Sequence, residues 1–375
     1  MNPRQAVNLY FLINGLIVAT LASRFVQIKS IYSLDNKSLG TLLLVMSIGA
    51  LIGMPVTGWL ISKYGSKKVM QISGLIVSLV IIILPMMPSW ILLFLPFFIL
   101  GTSNGIMDVS MNAHAVEVEK LWKRSIMTFF HALFSIGMMI GALIGSLCIQ
   151  GDISPRSHFL FIGVISLLII LISGKYLLLE PPQNEDKEVL FAFPKGLFIG
   201  LGFIAFCCMM GEGAMADWSG IYMERIVKSS KYLQVAGLFT FSGFMALGRF
   251  FGDAGRDRYG DKMMMTIGAL TSLLGMVLIL SLIHPYLVIL GFGLVGLGLS
   301  NIVPIVFSLA GNHPDVQPGV GIAGVTTIGY AGFMVGPPLI GFVADSYNLR
   351  IALVVLGVLF LIMASLVFTY KSSKD

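Results

Sequence analysis

Apolar residues recur along this chain in unbroken blocks of about 20, without the one-sided stripe of a soluble amphipathic helix. The blocks lie near residues 7–28, 39–61, 69–87, 91–114, 126–149 and 158–178. After the polar stretch Glu180 to Glu188 they resume near 197–222, 232–253, 263–283, 286–310, 319–343 and 350–369. Because about 20 apolar residues cross a bilayer as a helix, each block predicts one transmembrane span. The expected fold is an all-α membrane protein with twelve transmembrane helices in two six-helix bundles. Its expected domains are an N-terminal bundle over 1–179, a cytoplasmic linker over 180–195 and a C-terminal bundle over 196–375. The first block is long enough to span and no small-residue cleavage site follows it, so it reads as a span and not as a cleaved signal.

Composition supports a lipid-embedded chain. Hydrophobic residues make up 57% of the 375 and charged residues 11%, against roughly a quarter charged in soluble domains. The three cysteines, Cys148, Cys207 and Cys208, are odd in number and lie inside apolar blocks, so they predict neither a disulfide framework nor a metal site. Lysine and arginine set the orientation. With the amino terminus inside, fifteen of the 24 fall on the cytoplasmic side and seven on the opposite side, and Arg24 and Arg249 lie within spans. Both termini are therefore expected in the cytoplasm. The net charge of +6 follows from this bias and calls for no nucleic-acid partner.

A repeat organises the two halves. The loop Ser62-Lys63-Tyr64-Gly65-Ser66-Lys67-Lys68 returns 195 positions later as Asp257-Arg258-Tyr259-Gly260-Asp261-Lys262-Met263. At the same offset Gly53 meets Gly248, Gly101 meets Gly296, Gly137 meets Gly332 and Gly141 meets Gly336. Both copies start inside, so the repeats are parallel and related by an axis along the membrane normal, an arrangement that predicts a binding site between the halves near the midplane.

The loop Gly58 to Lys68 resembles the signature between the second and third spans of the major facilitator superfamily, and Asp257 to Lys262 looks like its second-half copy. More narrowly, several runs look like YbjJ-type bacterial inner-membrane proteins, a branch similar to the fucose permease group. These are Asp108-Val109-Ser110-Met111-Asn112, His131 to Ser135, Glu212 to Trp218, and Gly329-Tyr330 with Gly336-Pro337-Pro338. The resemblance implies a monomeric transporter without cofactor, working by alternating access of two six-helix bundles in a bacterial inner membrane. It also implies that the first, fourth, seventh and tenth spans line the cavity, which makes Asn14, Arg24, Asn104, Asp108, Glu212 and Asn301 candidates to face the solute. The family's first signature usually carries an aspartate where this chain has Ser62, so an ion pair of that kind is expected only at Asp257.

Ionisable groups within spans are costly unless they face protein or water, and they mark the expected chemistry. Asn104, Asp108 and Asn112 share one face of the fourth span by their i, i+4, i+8 spacing. Asp108 and His131 lie at similar depth and could share a proton, and Arg24 and Glu212 lie at depths that would let a charge pair join the halves. Asp108 is the first expected proton carrier, with Glu212 second and His131 as their accessory. Asn14, Arg24, Asn104, Asn112, Asn301 and Tyr330 are the expected solute contacts. Arg249, Asp253, Asp257, Arg258 and Lys262 are expected to hold an inner gate by charge pairing. Asp217 and Trp218 fall near the outer interface, where tryptophan serves as an anchor.

The expected activity is secondary transport of a small polar solute, a sugar or related metabolite, in symport with protons. The alternatives are a proton-driven efflux antiporter of a small organic solute or drug, and a membrane sensor that moves nothing. Gly101-Thr102-Ser103-Asn104-Gly105 matches a nucleophile-elbow pattern but lacks its strand-turn-helix context. With no nucleotide-binding or metalloprotease motif either, no enzyme is expected.

Overall fold

A computed structural model of the chain describes residues 1–122, 126–179, 197–311 and 318–370. The chain falls into two compact units, Met1–Glu188 and Val189–Asp375. The expected linker over 180–195 lies outside the described residues. Among the described residues every regular element is helical.

In the first unit, α1 (Pro3–Ala22) and α2 (Phe25–Tyr32) form the first span. They are followed by α3 (Asn36–Tyr64), α4 (Ser66–Ile83), α5 (Phe94–Trp122), α6 (Met127–Gln150) and α7 (Pro155–Ser173). In the second unit α8 (Leu197–Arg225) is the seventh span, and α9 (Ala236–Ser281) holds the eighth and ninth on either side of Gly260. The tenth span is α10 (Pro285–Leu299) with α11 (Ile302–Gly311), the eleventh is α12 (Pro318–Ser346) and the twelfth is α13 (Leu349–Thr369). Eleven described helices are long and apolar enough to cross a membrane. The arm of α9 before Gly260, which carries Arg249, Arg256, Asp257 and Arg258, completes the twelve.

Helix starts follow local chemistry. Asn2 and Gln5 form a reciprocal capping box before Pro3, and Ser154 caps α7 just ahead of Pro155. At the start of α3 the Asp35 carboxylate accepts the Ser38 N–H at 2.6 Å, and the Ser38 hydrogen bonds hold its carboxyl below the usual carboxylate range. A depressed folded pKa adds stability above the unfolded value of about 3.9 that is lost as pH falls through the folded value. Asp35→Ala is therefore expected to cost about 1 kcal/mol near neutrality. Unfolding midpoints of the two proteins should converge in acid, and a gap that stays constant with pH would refute the cap's electrostatic part.

The repeat is visible in the packing. Gly65 and Gly260 sit at the same turn with φ of 78° and 77°, a region costly for residues with a Cβ. A methyl group placed on Gly101 would lie 1.8 Å from the Met46 carbonyl oxygen. Its counterpart on Gly296 would lie 2.1 Å from that of Phe241, and Met46 and Phe241 are themselves 195 positions apart. Likewise Gly137 abuts the Leu12 carbonyl and Gly332 that of Phe206, at 2.1 and 2.5 Å for the added carbon. Small residues thus bring α3 onto α5 and α1 onto α6 in one unit. They bring the first arm of α9 onto α10 and α8 onto α12 in the other. The run Gly101 to Gly105 lies inside α5 with both glycines against α3, so its pattern belongs to helix packing.

Large apolar side chains such as Leu168, Leu171 and Ile172 of α7 and Val354, Val358 and Leu361 of α13 are exposed, as expected of surfaces that meet acyl chains.

Candidate functional site

The tenth span is broken, and the break organises the polar groups of the second unit. Helix α10 stops at Leu299 and α11 starts at Ile302, which frees carbonyl oxygens that an apolar medium does not satisfy. The Cys208 thiol points to the Leu299 oxygen at 3.5 Å, and Arg249 Nε donates to the Ser300 oxygen at 3.4 Å. The same guanidinium reaches the Glu212 carboxylate, Nη2 to Oε1, at 3.5 Å, with both side chains largely buried. Burial of one charge alone would be expensive, and here each supplies the other's counter-charge.

Asn301 lies at the centre of this break. Its amide donates to the Gly248 oxygen at 2.8 Å and the Ser300 hydroxyl at 2.9 Å, and its oxygen fills the space beside Gly252. Both amide hydrogens are therefore engaged in the fold. Tyr330, on α12, is half-buried with its ring 6.1 Å from that of Phe333, and Phe333 covers Gly213 of α8.

In the first unit the structure gathers polar groups from α1, α5 and α6. The Asn14 amide contacts the Met111 sulfur at 3.7 Å, which seats α1 against α5. Asn112 donates to both the Asp108 backbone oxygen, at 2.9 Å, and its carboxylate, at 3.3 Å. His131 stands edge-on to Phe11, one turn before Asn14 on α1, with centroids 5.4 Å apart. The amide oxygens of Asn14 and Asn104 are buried with no hydrogen-bond partner among the described residues.

Arg24 has a different place from the one expected. It sits in the break between α1 and α2, 1% exposed. Its Nε donates to His158 Nδ1 at 3.0 Å and its Nη2 to the Ile153 oxygen at 3.0 Å. Since arginine can only donate, His158 is neutral and carries its proton on Nε2. Arg24 and Glu212 thus each have a partner within their own unit, His158 and Arg249. A lone histidine in an apolar span gave no signal of this role.

The charges expected to form a gate lie in different surroundings. Arg249 belongs to the Glu212 pair, deep in the bundle. Asp257 and Arg258 are exposed, and Arg258 lies over the Tyr259 ring at 5.2 Å. Lys262 is half-buried, and the side chain of Asp253, like that of Ser62, lies outside the described residues. The ion pair that closes this turn joins Arg256 to Asp261 at 2.8 Å, and Arg256 also donates to the Ser308 hydroxyl of α11 at 3.1 Å. At the position 195 before Asp261, Ser66 meets His114 Nδ1 at 2.6 Å, while the Leu178 N–H donates to His114 Nε2 at 3.2 Å. A neutral histidine bond in the first unit thus stands where the second has an ion pair.

Trp218 is fully buried, so it packs the interior of its unit and does not anchor the chain at the outer interface. No group of three or more histidine, cysteine, aspartate or glutamate side chains able to hold a metal occurs among the described residues.

The chain is similar to known proteins over its whole length. The family model of the Major Facilitator Superfamily matches residues 7–256 and 201–375. An uncharacterised transporter of that type from Yersinia pestis is 34% identical over 365 residues, covering 97% of this chain and 95% of the relative. The membrane protein MosC of Rhizobium meliloti is 31% identical over 348 residues, covering 93% and 85%. Among solved structures, the nucleoside transporter NupG superposes with a TM-score of 0.74 at 16% identity, over 99% of this chain and 100% of the other. A bacterial homologue of the human lysosomal transporter Spinster superposes with 0.75 at 15% identity, over 97% and 95%. At such identities the structures speak to the fold alone.

Proposed function

The chain belongs to the major facilitator superfamily, and from that premise we propose that it carries a small polar solute, a sugar or related metabolite, in symport with protons by alternating access. That it is a multi-pass membrane transporter follows from the family. The solute class and the coupling are the proposal.

The observation that carries it is the buried amide oxygens of Asn14 and Asn104, two of the four, with those of Asn8 and Gln27, that lack a hydrogen-bond partner among the described residues. A buried acceptor without a donor costs about 1–3 kcal/mol, and a hydroxyl-rich solute supplies donors. The first unit also holds Asp108, Asn112 and His131 in its spans, and the second unit holds the Glu212–Arg249 pair and Tyr330. The narrower resemblance to YbjJ-type proteins and the fucose permease group favours symport over proton-driven efflux. Bacterial relatives and the lysine and arginine bias favour a bacterial inner membrane with both termini cytoplasmic.

Purified protein in liposomes, given a panel of labelled sugars, nucleosides and small organic acids under an acid-outside gradient, tests the reading. At least one polyhydroxylated solute is expected to accumulate, to leave again on adding a protonophore, and to be carried poorly by Asn14→Leu and Asn104→Leu. Accumulation indifferent to the gradient would overturn the coupling. A ligand that binds but never crosses would make the protein a sensor.

A further inference from the structure

Helix α8 carries a second carboxylate whose surroundings differ from those of Glu212. Asp217 lies eight residues before Arg225, which puts it about 12 Å along the helix from that end. It is half-buried and, among the described residues, has no hydrogen bond or ion pair. It belongs to a stripe of partly open positions spaced three and four apart. The inner part of the stripe is Ile199, Phe203 and Phe206, and the outer part is Gly213, Asp217, Gly220 and Glu224. The apolar inner part suits lipid or packing, and Phe206 and Gly213 do meet α12 at Gly332 and Phe333. The outer part is two glycines and two acids. Gly213 is covered by Phe333, and a carboxylate facing hydrocarbon is costly, so Asp217 faces water or a polar path.

The charged and titratable groups on the packed elements are paired elsewhere, exposed or, like the Arg350 Nε, buried without a hydrogen bond. On α8 itself, Glu212 points to Arg249 of α9, and Glu224 lies 3.8 Å from Arg225. Arg350, at the start of α13, acts on the Tyr222 hydroxyl, which itself donates to the Ile279 oxygen at 2.6 Å. On α12, Tyr330 is tilted against Phe333 and Asp345 is exposed. On α10, Tyr286 is exposed beside His284, and the described part of α11 has no charged group. Glu212 thus has a cation beside it and Asp108 has the Asn112 amide, whereas Asp217 has neither.

We propose that Asp217 is the proton-carrying group of this transporter. It takes up a proton when its side of α8 meets acidic water and releases it on the other side, and Glu212 stays charged throughout in its pair with Arg249. The proposal rests on the proton-coupled reading above and adds the residue.

Two measurements separate the proposal from that reading. In the first, the purified full-length protein is treated with dicyclohexylcarbodiimide, which adds to protonated carboxyls in apolar surroundings. Adducts are located by mass spectrometry between about pH 5.5 and 8.5, on both sides of neutrality. Asp217 is expected to be labelled in acid and to lose labelling as the pH rises, with Glu212 unlabelled. Labelling of Asp108 or Glu212 in its place, or labelling of Asp217 that ignores pH, would overturn the proposal. In the second, Asp217→Asn is expected to lose gradient-driven accumulation of the solute found in the panel while keeping exchange of labelled for unlabelled solute. Asp217→Glu should restore accumulation and so show that the asparagine variant did not merely misfold. Accumulation by Asp217→Asn at the wild-type level would overturn the proposal. If no solute crosses even in wild type while Asp217 still titrates in the labelling, the transport reading fails and the assignment of the titrating group stands.

Discussion

Replacing Arg249 with methionine is expected to cost about 3–5 kcal/mol, the usual penalty for leaving a buried charge without its partner. Two things are lost together. Glu212 keeps its place in the bundle without a counter-charge, and the Ser300 oxygen, freed by the break in the tenth span, loses the Arg249 Nε–H. Glu212→Gln alone should be milder, since Arg249 keeps its bond to Ser300. The double variant Glu212→Gln with Arg249→Met should recover most of the stability, because no charge then remains buried, yet should not recover transport if the pair contacts the solute. Unfolding midpoints of the four proteins in one detergent form a double-mutant cycle. Single variants as stable as wild type would show that the pair carries no such energy.

Gly101→Val is expected to be as damaging by a different route. The obstacle at Gly101 is the Met46 backbone oxygen, and backbone cannot swing aside as a side chain can. The two helices must separate, which loses the close contact along α3 and α5 and costs at the upper end of the roughly 1–3 kcal/mol typical of overpacking. Gly296→Val should do the same to α9 and α10 by the repeat. Gly200→Ala is the control, since a carbon added there meets nothing within 4 Å, and it should change stability by no more than about 0.5 kcal/mol. Monodisperse yield and unfolding midpoint measure the difference. Equal behaviour of Gly101→Val and Gly200→Ala would show that α3 and α5 do not depend on this approach.

The chemistry of the spans was legible in part. Asp108, Asn112, Asn14 and His131 were recognisable because a polar group in an apolar block is conspicuous, and the structure brings these four into one region of the first unit. Asp217 is equally conspicuous, and its tryptophan neighbour suggests an interfacial place that the burial of Trp218 removes. Arg256 and Asp261 were passed over for Asp257 and Arg258, one and two positions away from Arg256. On a helix a step of one residue turns a side chain by about 100°, enough to choose between the inside of a turn and water.

By itself the sequence determined that the chain crosses a membrane about twelve times, that six spans repeat, and where each polar group sits along its helix. Hydropathy, small-residue spacing and glycine turns are properties of consecutive residues, so they survive in one dimension. Only the tertiary structure decided which charges meet. Arg249 and Glu212 are 37 residues apart and Arg24 and His158 are 134 apart. Their pairing depends on which helices lie side by side and which way each is rotated, and in an apolar medium those contacts decide whether a carboxylate stays ionised with a partner or, like Asp217, is left to exchange its proton.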